Sequence, residues 1–412
     1  MARVSAVIYK QFRRSDGTYN VRIKVFHKSE RRLISTAHYI SERHLSSNLE
    51  IKDPTINLLI NKRLDDYRRT ISKLDNVLKT MSCAELAEYL DNKDNIDFIK
   101  FCDEHIAQLR KDNRIGTANN HRTVRNSLVD YFKRESIDIL EINSNMLFKY
   151  ERYLREDRQM IRVNQLGKEV SVIKTGLSDN GLYNHMRDLR TLFNAARAFY
   201  NNEDLGLIQI EHKPFKTYSI GSAPITKNRN ISVEQLKIIR DCQLEVGTRV
   251  ELARDLFMLS FYLCGMNAVD MYNLKTTDLQ NGRISYNRSK TVRQRKDKAF
   301  ISIRLVEEAS LLLNKYIGQL SIKYVDYLGL DTALSKGMIE LRAVTDIPDI
   351  TFYYARHTFA NLARNACRVS KDDLDLALNH VDQRHRVLDI YLDKDWSIVD
   401  EVQKKVVQLL NE

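Results

Sequence analysis

Near the N-terminus apolar and polar residues alternate with a period of two, and almost everywhere else they recur by threes and fours. Tyr19, Val21, Ile23 and Val25 point one way while Asn20, Arg22 and Lys24 point the other, after a Ser15-Asp16-Gly17 turn. That alternation marks half-buried strands, so residues 3–40 predict a small three-stranded sheet. Asp53 before Pro54 reads as an N-cap with proline at the first helical position. Ile56, Ile60, Leu64, Tyr67, Ile71, Leu74, Leu78 and Met81 then recur at helical spacing. One long amphipathic helix is expected there, linking the sheet to the rest or pairing with another helix. From about 95 to 205 the pattern predicts about four packed helices. Thr117 and Asn143 are their expected caps, and Phe98, Phe101, Ile106, Leu109, Leu128, Tyr131, Leu189, Leu192 and Phe193 their core. A polar stretch with Gly167 and Gly176 interrupts them at 158–177 as a surface loop or hairpin. Residues 206–230 hold Gly206, Pro214, Gly221 and Pro224 among lysines and read as an exposed linker. A capping box, Ser232 to Gln235, opens a final section of helices with one hairpin: a strand at about 283–288, a very basic turn, and a strand at about 298–304. Pro348 ends a loop before a helix starting near Thr351.

A length of 412 residues exceeds one compact core, and a hydrophobic content of 43% argues against a disordered or fibrous chain. Four prolines and thirteen glycines suit a mainly helical, multidomain protein. No apolar run is long enough for a membrane span, and the N-terminus lacks the apolar core of a secretory signal, so a cytoplasmic location is expected. Cys83, Cys102, Cys242, Cys264 and Cys367 are scattered and form no short-spaced pair, so reduced packing residues are expected rather than a metal site or a disulfide framework. No cofactor is expected.

Charge changes the picture more than composition does. Lys and Arg number 66 against 54 for Asp and Glu, a net +12, which favours a polyanionic partner. Residues 1–50 carry ten Lys/Arg and four Asp/Glu, so half the excess sits in about an eighth of the chain. A ribbon whose polar face carries Arg22 and Lys24 suits the DNA major groove; a solvated sheet face explains the same residues. On the helices, Arg122 and Arg125, with Arg187, Arg190 and Arg197, are candidates for phosphate contact or for facing water.

Three segments near the C-terminus combine into something more specific: Tyr262-Leu-Cys-Gly-Met-Asn-Ala-Val-Asp-Met271; Arg288-Ser-Lys-Thr291; and Tyr354-Ala-Arg-His-Thr-Phe-Ala360 with Leu378-Asn-His380 and Asp389-Ile-Tyr391. In these the chain resembles the tyrosine site-specific recombinases, the phage-integrase family, and looks most like the branch common on mobile elements of Bacteroidetes. The resemblance covers about 224–412. It implies an arm-type DNA-binding β domain with a linker helix at 1–90, a helical, SAM-like core-binding domain at 91–210 and a catalytic domain at 224–412. It further implies a covalent 3′-phosphotyrosyl intermediate, double-stranded DNA with specific core and arm sites, a homotetramer on DNA, an optional DNA-bending accessory protein and a nucleoid-associated location. No membrane partner is implied.

The chemistry of the residues stands beside the resemblance. Phosphodiester exchange needs a nucleophile able to take a phosphoryl group, cations for the pentacoordinate phosphate and an acid for the departing 5′ oxygen. Tyr391 matches the family nucleophile; a phenol of solution pKa about 10 needs cationic neighbours or a base to react. Arg356 matches the second catalytic arginine, whose planar fork holds two phosphate oxygens. Lys290 matches the lysine that protonates the leaving oxygen, and Arg293, Arg295 and Lys296 around it are candidate DNA contacts, as is His357. His380 matches the histidine that hydrogen-bonds the scissile phosphate; a five-residue spacing to His385 does not make a metal pair.

Two positions depart from the family pattern. The first catalytic arginine is replaced by Asn267, which brings no charge, and the histidine before the second arginine is replaced by Tyr353. Arg288, two residues before Lys290 and so on the same side of the strand, is the expected substitute cation, with Arg254 as the other contender. Trp396, Val399, Val402, Val406, Leu409 and Leu410 describe a terminal helix that family members pass to an adjacent subunit; packing in cis explains the same pattern. The expected function is DNA integration, excision or inversion. The rivals are a catalytically degenerate DNA-binding protein and a type IB topoisomerase.

Overall fold

In the computed structural model residues 2–74, 77–92, 96–163, 168–224, 229–380 and 393–412 are described. The chain divides into two compact units, Met1–Ile225 and Thr226–Glu412. It is mainly helical, with small antiparallel sheets.

The period-two stretch folds as strands Arg3–Val7, Thr18–His27 and Glu30–Ser41, paired antiparallel in chain order. Val21, Ile23 and Val25 are buried, and Arg22 and Lys24 lie on the opposite face opposite Ser35 and Leu33. The alternation fails at one place. A register shift between Asn20 and Arg22 turns Asn20 inward, where its Nδ2 donates to the carbonyls of Thr36 (2.7 Å) and His38 (3.2 Å).

Asp53 caps the next helix as expected, accepting the N–H groups of Thr55 and Ile56 at 3.0 Å each. That helix is described over Pro54–Leu74, the helical turn Val77–Thr80 carries on toward Met81, and helix Cys83–Asn92 follows. Ile60, Leu64, Tyr67 and Leu74 share one core with the sheet and with Leu86 and Leu90. The apolar stripe therefore covers the sheet's buried face instead of serving as a free connector, because a sheet with one apolar face needs a second layer.

A separate core joins helices Phe98–Lys111, Ile115–Phe132, Ser144–Arg155 and Asp179–Tyr200. Asn143 caps the third through Met146 N–H (3.0 Å). Thr117 does not cap the second. Asn113, in the left-handed region (φ 56°), and an Arg114 N–H bond to the Leu109 carbonyl (2.8 Å) close the preceding helix so tightly that the next begins at Ile115. Between the third and fourth helices, Arg158–Val163 pairs with Glu169–Lys174 as a hairpin.

In the second unit the Arg249–Tyr262 helix is buried along most of its length, capped by Thr248, and packs against helices Tyr327–Thr345, Glu307–Tyr316 and Tyr354–Asn365. Strands Leu279–Gln280, Arg283–Asn287 and Phe300–Arg304 form its sheet in chain order. The terminal helix, Trp396–Gln408, docks on its own unit: Val399, Val402, Val406 and Val407 are buried and Arg283 grips Asp400 bidentately (2.5 and 3.1 Å). Gln403 donates to the Tyr262 carbonyl at 2.7 Å. No helix among the described residues is long and apolar enough to cross a membrane.

Candidate active site

Arg356 lies in the first turn of the Tyr354–Asn365 helix and is only 7% exposed. Its Nη1 donates to the Gly265 carbonyl (2.8 Å) and its Nη2 to the Leu378 carbonyl (2.6 Å) and to His380 Nε2 (3.0 Å). Gly265 is required at this approach. It adopts φ +75°, and a Cβ there would fall 2.6 Å from Arg356 Cγ. Burial, and then the neighbouring Arg288 charge, hold the Arg356 guanidinium below its usual range, yet a guanidinium is so strong a base that the group stays cationic.

Arg288 is equally buried, at 7%. Its Nη1 reaches the Asn379 carbonyl (3.4 Å), and its Nε has no partner among the described residues. The expected strand alternation from Arg288 to Lys290 does not occur, because the strand ends at Asn287. The chain then turns, with the Thr291 and Val292 N–H groups donating to the Arg288 carbonyl (3.1 and 3.0 Å). Arg288 is thus buried beside Arg356 while Lys290 is exposed in the turn.

His380 receives the Arg356 bond on Nε2. Since a guanidinium only donates, the imidazole proton sits on Nδ1 and is given to Asp375 Oδ1 (3.3 Å). Burial, with Arg356 and Arg288, lowers its pKa, opposed by Asp375. His380 is therefore neutral near pH 7.

Tyr353 is 43% exposed and stacks edge-on with His357 (4.8 Å), beside the arginine. Burial, then Arg229 and Arg356, lowers the His357 pKa. Asn267 precedes the Ala268–Asn273 helix and donates to Asp270 Oδ2 at 3.4 Å. Asp270, buried, also accepts the Ser289 N–H (2.8 Å), which ties the Asn267 turn to the turn holding Lys290. The sequence reading passed over Asp270; its signal was a single acid inside the otherwise uncharged run from Tyr262 to Met271. Tyr286 was passed over as well. It lies near Asp270, Arg356 and Arg288, and burial and then Asp270 raise its phenol pKa.

Arg254 is not at this site. It bonds Asp255 (2.6 Å) and the carbonyls of Arg240 (3.2 Å) and Cys242 (3.1 Å), where it closes the end of the Val233–Asp241 helix. Arg295 is bound inside the protein by Asp297 and Asn379, while Arg293 and Lys296 are exposed. In the first unit Arg22 lies over the Phe12 ring (3.8 Å), Arg122 is exposed, and Arg125 pairs with Asp103 (2.9 Å) and Glu135 (3.7 Å). Tyr391 lies outside the described residues. Among the described residues no cluster of ligating side chains suits a metal ion.

Residues 97–203 match the family model of the phage integrase SAM-like domain. Similar solved structures are a lambda integrase tetramer bound to a Holliday junction (11% identity, 94% of this chain and 97% of that one, TM-score 0.46) and a lambda integrase dimer bound to a COC′ core site (13%, 94% and 96%, 0.45). A lambda integrase(75-356) dimer bound to a COC′ core site is similar over 73% of this chain and 99% of that one (13%, 0.42). No curated protein matches the chain.

Proposed function

We propose that the chain is a tyrosine site-specific recombinase that cuts and rejoins double-stranded DNA, in the manner of mobile-element integrases of the Bacteroidetes branch. One observation carries the reading. Arg356 and Arg288 are buried side by side, and among the described residues neither has a carboxylate within ion-pair distance. Two buried positive charges held, among the described residues, by backbone carbonyls and a neutral imidazole call for an anion, and a phosphodiester supplies it. The SAM-like match at 97–203 and the motifs around Gly265, Arg356, His380 and Tyr391 support the same reading.

In the proposed reaction the Tyr391 phenol loses its proton to water as its oxygen attacks phosphorus, forming a 3′-phosphotyrosyl bond as the bond to the 5′ oxygen breaks. Lys290, exposed in its turn, gives that oxygen its proton. Arg356 and Arg288 bind the nonbridging oxygens, with Arg288 supplying the charge that Asn267 lacks. His380 donates to the phosphate once the anion draws a proton onto Nε2, and Tyr353 contributes a hydroxyl where the family has imidazole. A free 5′-hydroxyl then attacks the phosphotyrosine and releases the phenol, so bond energy is kept without metal or nucleotide. The proposal extends to a homotetramer, arm-site binding by the Arg22 and Lys24 face, core-site binding by the helical module, and an accessory DNA-bending protein.

The test is a labelled duplex nicked just past the crossover site, incubated with the full chain. A covalent adduct that disappears in Tyr391→Phe supports the proposal. Binding without adduct points to a catalytically degenerate DNA-binding protein, and relaxation of any supercoiled plasmid to a topoisomerase.

A further inference from the structure

The turn at residues 378–380 touches each strongly placed group of the site. The Leu378 carbonyl accepts from Arg356 (2.6 Å), the Asn379 carbonyl from Arg288 (3.4 Å), and His380 Nε2 from Arg356 (3.0 Å). Two like charges in a low-dielectric interior repel each other, and carbonyl oxygens are what hold them in place before a phosphate arrives. The Gly265 carbonyl is one of these oxygens; the other two belong to this turn.

The turn bends at Asn379, whose φ of 52° lies in the left-handed region that glycine tolerates best. Here the side chain has a use that glycine lacks. Its Oδ1 accepts from Arg295 Nη1 (2.7 Å) and its Nδ2 donates to the Ala299 carbonyl (2.8 Å). Arg295 Nη1 also reaches the Asn379 carbonyl (3.1 Å), while its Nε and Nη2 grip Asp297 at 2.8 and 2.5 Å. Asp297 further accepts the Ala299 N–H (3.0 Å) and the Lys394 ammonium. The hydrogen bonds from Arg295, then from Lys394, keep its carboxyl well below the usual range.

We infer that Arg295, Asp297 and Asn379 form a positioning clasp, fastening the 378–380 turn to the hairpin so that Arg356, Arg288 and His380 converge on one phosphate. What the converging groups do rests on the recombinase reading; the convergence itself rests on the bonds above. Arg295 is then a positioning residue and not a DNA contact, since its donors are already turned inward.

Asn379→Gly tests this without disturbing the backbone, because glycine accepts the same φ. The first measurement is the His380 titration by NMR in the full chain with labelled histidine, its signal assigned by loss in His380→Gln. Around the ring stand Arg356, Arg288 and Asp375. The clasp predicts that in Asn379→Gly and in Arg295→Ala the His380 pKa returns toward its ordinary value as Arg356 loosens; an unmoved titration overturns the inference. The second is the single-turnover cleavage rate on the nicked duplex at saturating protein. Displacing catalytic groups by about 1 Å costs on the order of 10²-fold in rate. Each variant should lose that much at unchanged duplex affinity, and the double variant should be no slower than either single, since both break one bridge. Lower thermal stability with an unchanged rate, or lost affinity with an unchanged rate, also overturns it. If the unaltered protein forms no adduct, the recombinase reading fails, and the titration still decides the clasp.

Discussion

Substituting Gly265 by alanine isolates the approach of the Gly-Met-Asn turn to Arg356. The added Cβ would lie 2.6 Å from Arg356 Cγ and 2.9 Å from its Cβ, and the residue must keep φ +75°. Gly247 is an internal control: its φ is +84°, but nothing lies within 4 Å of a Cβ there. A left-handed non-glycine residue costs roughly 1–2 kcal/mol, which is the whole cost at 247. At 265 overpacking adds about 1–3 kcal/mol, since Arg356 is held by three hydrogen bonds and has no room to retreat. At about 2–4 °C per kcal/mol for a unit of this size, Gly247→Ala should lower the melting of the second unit by about 4 °C and Gly265→Ala by about 10 °C. Differential scanning calorimetry of the full chain measures both. Only Gly265→Ala should also slow adduct formation. Equal shifts in the two variants, or an undiminished cleavage rate at 265, would refute the claim that this turn holds Arg356.

Three further outcomes follow from other parts of the molecule. Arg288→Ala should lower adduct formation by 10² or more, whereas Arg254→Ala should leave the rate unchanged; similar effects from both would remove Arg288 as the substitute cation. Asp400→Asn weakens the partly exposed Arg283 pair and should speed amide exchange across 396–408, by up to the roughly 1.5–3 kcal/mol that a hydrogen bond to a charged group contributes; unaltered protection would show that the latch does not hold the terminal helix. His185, bonded to the Tyr150 hydroxyl at 2.9 Å, is pushed down to about 4 by burial, then by Lys174 and Arg158. The unfolded imidazole takes its proton near pH 6.5, so the unfolded state binds more protons between about 6.5 and 4. Stability is therefore full above that window and falls by roughly 3 kcal/mol as pH drops through it. Melting against pH should be flatter in His185→Gln, and identical slopes would sink the assignment.

Local patterns were legible wherever one physical rule acts alone. The Val21, Ile23, Val25 alternation reported a buried sheet face, Asp53-Pro54 and Ser232 reported helix starts, and Asn143 reported a cap. Patterns failed where a distant partner decides. Arg295 reads as one more surface charge because its partner Asn379 is 84 residues away. Arg254 read as a spare cation because nothing in the sequence says that the carbonyls of Arg240 and Cys242 end beside it. Strand alternation says nothing of where Arg288 points, since it stands in a turn beyond the strand's last residue, Asn287. The motifs mark Gly265, Arg356, Leu378 and His380 as neighbours in chemistry; that, among the described residues, backbone carbonyls hold Arg356 and Arg288 required the fold.

The most direct measurement is mass spectrometry of the peptide that stays attached to DNA after cleavage of the nicked duplex and nuclease digestion. A nucleotide 3′-phosphate on the oxygen of Tyr391, formed without added metal and absent in Arg356→Ala, is the predicted result. A modification on any other residue, or a cleaved strand that carries no protein, would contradict it.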